Sequence, residues 1–305
     1  MTLGEFPWNM GLMNSSTWDL LINAAALFFW FRLWMPEERD LYFNPYVASL
    51  WRFSEQAIGA LRAVFLRTPG QLIALICFLF LLVFRGVSFY GLAMRHQTSA
   101  WVLHLGFEGI PLHAGNAGVV AFVAFSFMSF AVFLFTFWGL ALLYAGRKTS
   151  PFNHASGALF HVSRPFSLVP LELRPPVLLG VGILLGLLFN VDPSRGSEAF
   201  SAVPLTATAF LKYFLSALQG WVAVLSVLQL LMLLLIIGSW AAMFSTSHEL
   251  MLFCKDWIEL LLGPLRRFPL HLGPLDLTPI LFFFALKYLQ AFLSAMLTKS
   301  YLGLP

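Results

Sequence analysis

Six apolar runs, each near the length needed to cross a lipid bilayer, decide what this chain can fold into. They are Trp18 to Trp34, Gln71 to Tyr90, Gly118 to Ala145, Val177 to Val191, Trp221 to Phe244 and Ile280 to Leu297. A helix rises about 1.5 Å per residue, so roughly 20 apolar residues span the hydrocarbon layer. Lipid cannot hydrogen-bond the backbone, and each run must satisfy its own N–H and C=O groups. The expected fold is therefore all-α: a polytopic membrane protein with about six transmembrane helices. Charge content agrees. Only 10% of residues are charged and 59% are hydrophobic, against about 25% charged in a globular domain. The first run is too long for the apolar part of a signal peptide and lacks its charged n-region, so it is expected to remain as a span.

Between the first two runs, Val47, Leu50, Trp51, Ala57, Ile58, Leu61 and Phe65 fall at helical spacing, with Arg52, Glu55, Gln56 and Arg62 facing away. The segment Val47 to Leu66 thus reads as an amphipathic interfacial helix. Glu249 to Leu262 reads the same way, with Leu250, Phe253, Cys254, Trp257, Ile258 and Leu261 on its apolar face. Even-numbered spans begin at proline: Thr68-Pro69, Pro175-Pro176, and Asp276-Leu277-Thr278-Pro279. Proline at the first helical turn loses no needed N–H, and Thr68, Thr278 and Asp276 are expected to cap exposed donors. Asn44-Pro45-Tyr46 follows the first span and Ser150-Pro151-Phe152-Asn153 the third. The pattern implies three pseudo-repeated helix pairs, in units 1–90, 118–191 and 221–305, joined by linkers 91–117 and 192–220. Within the second linker Ala202 to Leu218 reads as a further interfacial helix. In the fourth span Gly180, Gly182 and Gly186 suit close helix contact.

Eleven of the 18 lysines and arginines, among them Arg52, Arg62, Arg174 and Lys255, lie in the three loops inside the units. By the positive-inside rule those loops are cytoplasmic and both termini face outward. The net charge of +4 reports orientation here and implies no nucleic acid.

One stretch carries a resemblance. Gly263-Pro264-Leu265-Arg266-Arg267-Phe268-Pro269, then Gly273-Pro274-Leu275-Asp276-Leu277-Thr278-Pro279 opening an apolar helix, resembles the signature of the YggT (YlmG-like) family of integral membrane proteins. Arg32, Trp34 and Pro36, with Asn44-Pro45-Tyr46 beyond them, look like that family's span exit. The resemblance covers Phe244 to Leu293 well, Leu27 to Leu82 in part, and the middle unit weakly. It implies a non-enzymatic protein of a bacterial-type inner membrane, linked to membrane-complex assembly, cell division or osmotic tolerance.

Arg266 and Arg267 are candidates for contact with anionic lipid or a partner protein. Arg32 and Lys287 are charges within spans, and intramembrane charges mark pathways or buried ties. Eight residues beyond Pro279, Lys287 sits roughly 12 Å deep, so it is expected to face protein. His104, His113, His154, His161, His248 and His271 lack the spacing of a helical metal site. With no phosphate loop or nucleophile elbow either, neither cofactor nor catalysis is expected. The leading reading is a non-catalytic scaffold or assembly subunit bound to membrane lipids and other membrane subunits. The alternative is a small transporter or channel. A third class, an enzyme, would need the outward linkers, with His104, Glu108 and His113, to form a site with a partner.

Overall fold

The computed structural model describes residues 17–35, 44–62, 69–95, 101–112, 118–144, 153–189, 206–245, 248–263, 270–272 and 275–304. The helices follow in triplets, and the middle helix of each, termed the short helix, has 18, 9 and 15 residues in turn. The first triplet is α1 (Thr17–Trp34), α2 (Pro45–Arg62) and α3 (Gly70–Arg95). The second is α4 (Val119–Tyr144), α5 (His154–Val162) and α6 (Arg174–Phe189). The third is α7 (Ala207–Ser245), α8 (His248–Leu262) and α9 (Thr278–Leu302). Two antiparallel hairpins interrupt the helices: β1 (Trp101–Leu105) with β2 (Glu108–Leu112), and β3 (His271–Leu272) with β4 (Leu275–Asp276).

Among the described residues five helices are long and apolar enough to cross a membrane: α3, α4, α6, α7 and α9. The chain is a multi-pass membrane protein. The expected sixth span is α1, but its apolar stretch, Leu21–Trp34, is shorter than the other five. The separate interfacial helix expected from Ala202 is also corrected. From Ala207 that stretch is the start of α7, which runs unbroken for 39 residues, because nothing between Ala207 and Ser245 interrupts the helix: no proline occurs there.

The long helices pack as a row. α1 lies on α3, α3 on α4, α4 on α6 and α7, and α7 on α9. Glycines set the closest approaches. A Cβ at Gly86 of α3 would stand 2.6 Å from the Val123 Cα of α4, so the two backbones nearly touch there. Gly182 meets Phe135 and Gly186 meets Tyr213, as expected of helix contacts, whereas Gly180 faces open space.

The β1–β2 hairpin is driven into the bundle by its own apolar residues. Leu103, Leu105 and Leu112 are buried in one cluster with Phe122, Phe125, Phe135, Leu178 and Leu185. Its turn passes against α7: Gly106 has a φ of 62° and a Cβ there would meet the Ser216 carbonyl oxygen at 2.0 Å, so only glycine fits. Phe107 beside it stacks on Tyr301 of α9, 4.6 Å between ring centres. What reads in sequence as part of an outward linker is core.

Candidate functional site

Among the described residues, polar side chains concentrate at four junctions. The first gathers the three short helices. Asn44 caps α2, its Oδ1 accepting from the N–H groups of Tyr46 and Val47, while its Nδ2 donates 2.7 Å to the His154 carbonyl at the start of α5. Asn153 caps α5 in the same way and its Nδ2 donates 2.9 Å to the Asp256 carbonyl of α8. Each capping asparagine thus reaches the next short helix. The Tyr46 hydroxyl closes the group by donating to the Asp256 carboxylate at 2.8 Å, which places α2, α5 and α8 at one end of the bundle. Burial, and then the bond to Asp256, push the Tyr46 hydroxyl well above an ordinary tyrosine. Asparagine is a preferred N-cap, so Asn44 and Asn153 could have been read from sequence as caps.

The second junction is where α1, α2 and α3 meet. Arg32, only 5% exposed, forms an ion pair with Glu55 of α2 and lies over the Trp51 ring, 3.3 Å from its centre. Arg62 approaches the other oxygen of Glu55 at 3.5 Å. Both guanidinium groups converge on Gly70, the first residue of α3.

The third junction was not singled out in the sequence. Arg85, inside the apolar length of α3, is fully buried. Its Nη1 donates to Asn23 of α1 at 2.5 Å, its Nε to the Ser126 hydroxyl of α4 at 2.9 Å, and its Nη2 to the Ser126 carbonyl. Ser126 in turn donates 2.7 Å to the Leu82 carbonyl. One arginine therefore ties three helices together. The signal available in sequence was a lone arginine within the run Gln71 to Tyr90.

The fourth junction is the α7–α9 seam. Gln219 donates to Ser294 at 2.9 Å, Gln229 to Gln290 at 2.8 Å, and Gln290 to Ser226 at 2.5 Å. Neutral amides and hydroxyls hold the pair together, as interhelical glue does in lipid.

The family comparison falls on this last seam. Residues 214–297 match the CCB3/YggT family model. No curated protein and no solved structure matches the chain. The CCB3/YggT match takes in most of α7, all of α8, the β3–β4 hairpin and α9 up to Leu297, and contains the resemblance noted over Phe244 to Leu293.

Several candidate residues stand differently from expectation. Thr278 does not cap α9: its hydroxyl accepts 3.0 Å from the Leu270 N–H, and the cap position falls to Leu277, which offers no side-chain acceptor. Asp276 lies in β4 opposite His271, one position too early to cap. Pro279 is in the first turn of α9 and buried. Pro69 precedes α3 and its carbonyl receives the Leu72 and Ile73 N–H groups. Pro176 lies in the first turn of α6. Lys287 is not a buried charge. It lies exposed on α9 beside exposed Tyr288 and Leu289, because α9 meets the bundle mainly along its α7 seam and turns its remaining surface outward. Thr68, Arg266 and Arg267 lie outside the described residues.

On α8, Cys254 faces inward, 2% exposed, and burial pushes its thiol above the ordinary value. Leu250 and Phe253, also on the apolar face expected of this interfacial helix, are exposed. Among the described residues no cluster of His, Cys, Asp and Glu could hold a metal ion.

Proposed function

We propose that this chain is a non-catalytic scaffold or assembly subunit that holds other membrane proteins, with three repeated helix pairs in a bacterial-type inner membrane. On this reading both termini face outward, and the short helices α2, α5 and α8 lie on the cytoplasmic side. The observation that carries the reading is α9. One polar seam fastens it to α7, while Leu281, Phe284, Tyr288, Phe292 and Met296 remain exposed along the rest of its length. A single-seam helix with an aromatic outer surface suits packing against another membrane helix. Arg266 and Arg267 before it suit contact with lipid headgroups or the same partner. Nucleic acid has no part in this reading.

The test is extraction in mild detergent and quantification of co-purifying chains. The expected result is a partner at fixed stoichiometry that is lost when Phe284, Tyr288 and Phe292 are all changed to Ala. A chain that runs alone at its own mass from native membranes overturns the scaffold.

One observation favours the transporter reading: Arg85, an ionisable residue deep within the spans. Against it, Phe122, Phe125, Phe135 and Leu105 fill the bundle around the hairpin. Solute flux in proteoliposomes holding this chain alone would establish the transporter.

A further inference from the structure

The corner formed by α1, α2 and α3 holds more positive charge than its fold requires. Arg32 and Arg62 share one carboxylate, Glu55, so the three side chains carry a surplus of one positive charge. The α3 N-terminus lies at the same place and adds a partial positive charge of about half a unit. A Cβ on Gly70 would stand 3.1 Å from Arg62 Nη2 and 3.5 Å from Arg32 Nη2, so both guanidinium groups are aimed at that helix start.

Two further features point to a ligand. Arg32 is 5% exposed, yet its Nε has no hydrogen-bond partner, and a buried donor left unmade is costly. Arg62, in contrast, is half exposed, with a side-chain exposure of 50%, so the corner opens to the surface through it. Beyond the opening, α3 presents Leu72, Leu75, Ile76 and Leu79 outward, each at least 37% exposed. Phe53 of α2, 64% exposed, packs edge-on against Phe28 of α1.

We propose that this corner binds a phosphate group presented by an anionic phospholipid. The phosphate would accept from Arg62 beside the start of α3, with the Arg32 guanidinium behind it. The acyl chains would run along the exposed leucines and isoleucine of α3. Guanidinium groups suit phosphate because their planar forks donate two parallel bonds. A free phosphate would meet the same donors but gain nothing from the apolar stripe, and this separates the two sources.

The experiment uses the full chain in detergent micelles and follows retained lipid by native mass spectrometry. The probes are phosphatidylglycerol, phosphatidylcholine and inorganic phosphate. Wild-type protein is expected to retain phosphatidylglycerol over phosphatidylcholine, and Arg62→Gln to retain it about fivefold less. Arg52→Gln, which removes an exposed charge from the same helix, is expected to leave retention unchanged. Arg62→Lys keeps the charge without the fork and is expected to fall between. Equal loss in Arg52→Gln and Arg62→Gln would reduce the effect to net charge and overturn the site. Inorganic phosphate displacing phosphatidylglycerol at equal concentration would overturn the lipid as its source. Arg62 is half exposed, so these variants fold; a circular-dichroism melt superimposable on wild type confirms it.

Discussion

Arg85 in α3 and Lys287 in α9 are both cations set well inside long apolar helices, yet Arg85 is fully buried while Lys287 is exposed on the outer surface. The difference lies in the neighbouring helices. α3 is held between α1 and α4, and both flanks offer acceptors, Asn23 on one side and Ser126 on the other. Gly86, the next residue, lets α4 come close enough for Ser126 to serve with both its hydroxyl and its carbonyl. On α9 Gln290 and Ser294 meet α7, and Lys287, three and seven residues before them, lies at the rim of that side and stays exposed. A charge within a membrane helix is thus internal or external according to whether neighbouring helices close over it on both sides.

The largest expected effect tests the buried side of this contrast. Asn23→Leu removes one acceptor and leaves the Arg85 charge in place, at a cost of about 2–3 kcal/mol. Adding Arg85→Met to that variant removes the charge as well, and replacing a whole buried polar group by apolar residues is often close to neutral. The double variant should therefore be more stable than Asn23→Leu alone, measured as the midpoint of unfolding in detergent and denaturant mixtures. A double variant that is weaker than the single would mean Arg85 stabilises through its place over the Trp101 ring, 5.5 Å from its centre, and not through its acceptors.

This contrast also shows how far the sequence could be read. Apolar length alone marked α3, α4, α6, α7 and α9, because lipid forces each to complete its own backbone hydrogen bonds. The short helices followed from amphipathic spacing at α2 and α8. α5 was not legible as a helix, since its nine residues are too few to show a period. The orientation of side chains was less legible. Lys287 was expected inward from its depth, but depth fixes only distance along the helix, and the direction depends on where Gln219, Ser226 and Gln229 of α7 lie. Arg85 sits in a run apolar enough to hide it, and its acceptors are 62 and 41 residues away in sequence. Thr278 was expected as a cap from its place before Pro279, but Leu270 takes its hydroxyl through the fold of the β3–β4 hairpin. The charged corner was half visible: Arg32 was singled out, while its pairing with Glu55 and Arg62 required the return of α2 across the end of α1.

A smaller effect is expected at the end of the bundle where α2 meets α8. Tyr46→Phe removes the bond to Asp256 and should cost about 1 kcal/mol at neutral pH. The sign of the pH dependence follows from the raised Tyr46 hydroxyl. Folding favours its protonated form, so the contribution is fully present below the ordinary tyrosine value of 10.0. It is lost as pH rises through the higher folded value. Wild-type stability should fall more steeply than that of Tyr46→Phe above about pH 10, and the two curves should converge there. Parallel curves across that range would mean that Asp256 does not hold the hydroxyl.

The smallest effect belongs to Lys287, and it decides what the outer surface of α9 is for. An exposed side chain at the rim of the α7 seam contributes little to the fold of the isolated chain. Lys287→Met is therefore expected to move Tm by less than about 1 °C in detergent, in contrast to Asn23→Leu. If α9 packs against another membrane helix, the same substitution should show itself in assembly instead. The ammonium at that depth would then meet an acceptor on the partner, and its removal would raise the fraction of partner-free chain in native extracts while Tm stays fixed. A shift of Tm as large as that of Asn23→Leu would place Lys287 in the fold of this chain. An unchanged Tm with an unchanged partner fraction would leave lipid as the occupant of that surface, with the ammonium reaching along α9 toward the headgroups as lysine side chains near a membrane surface do.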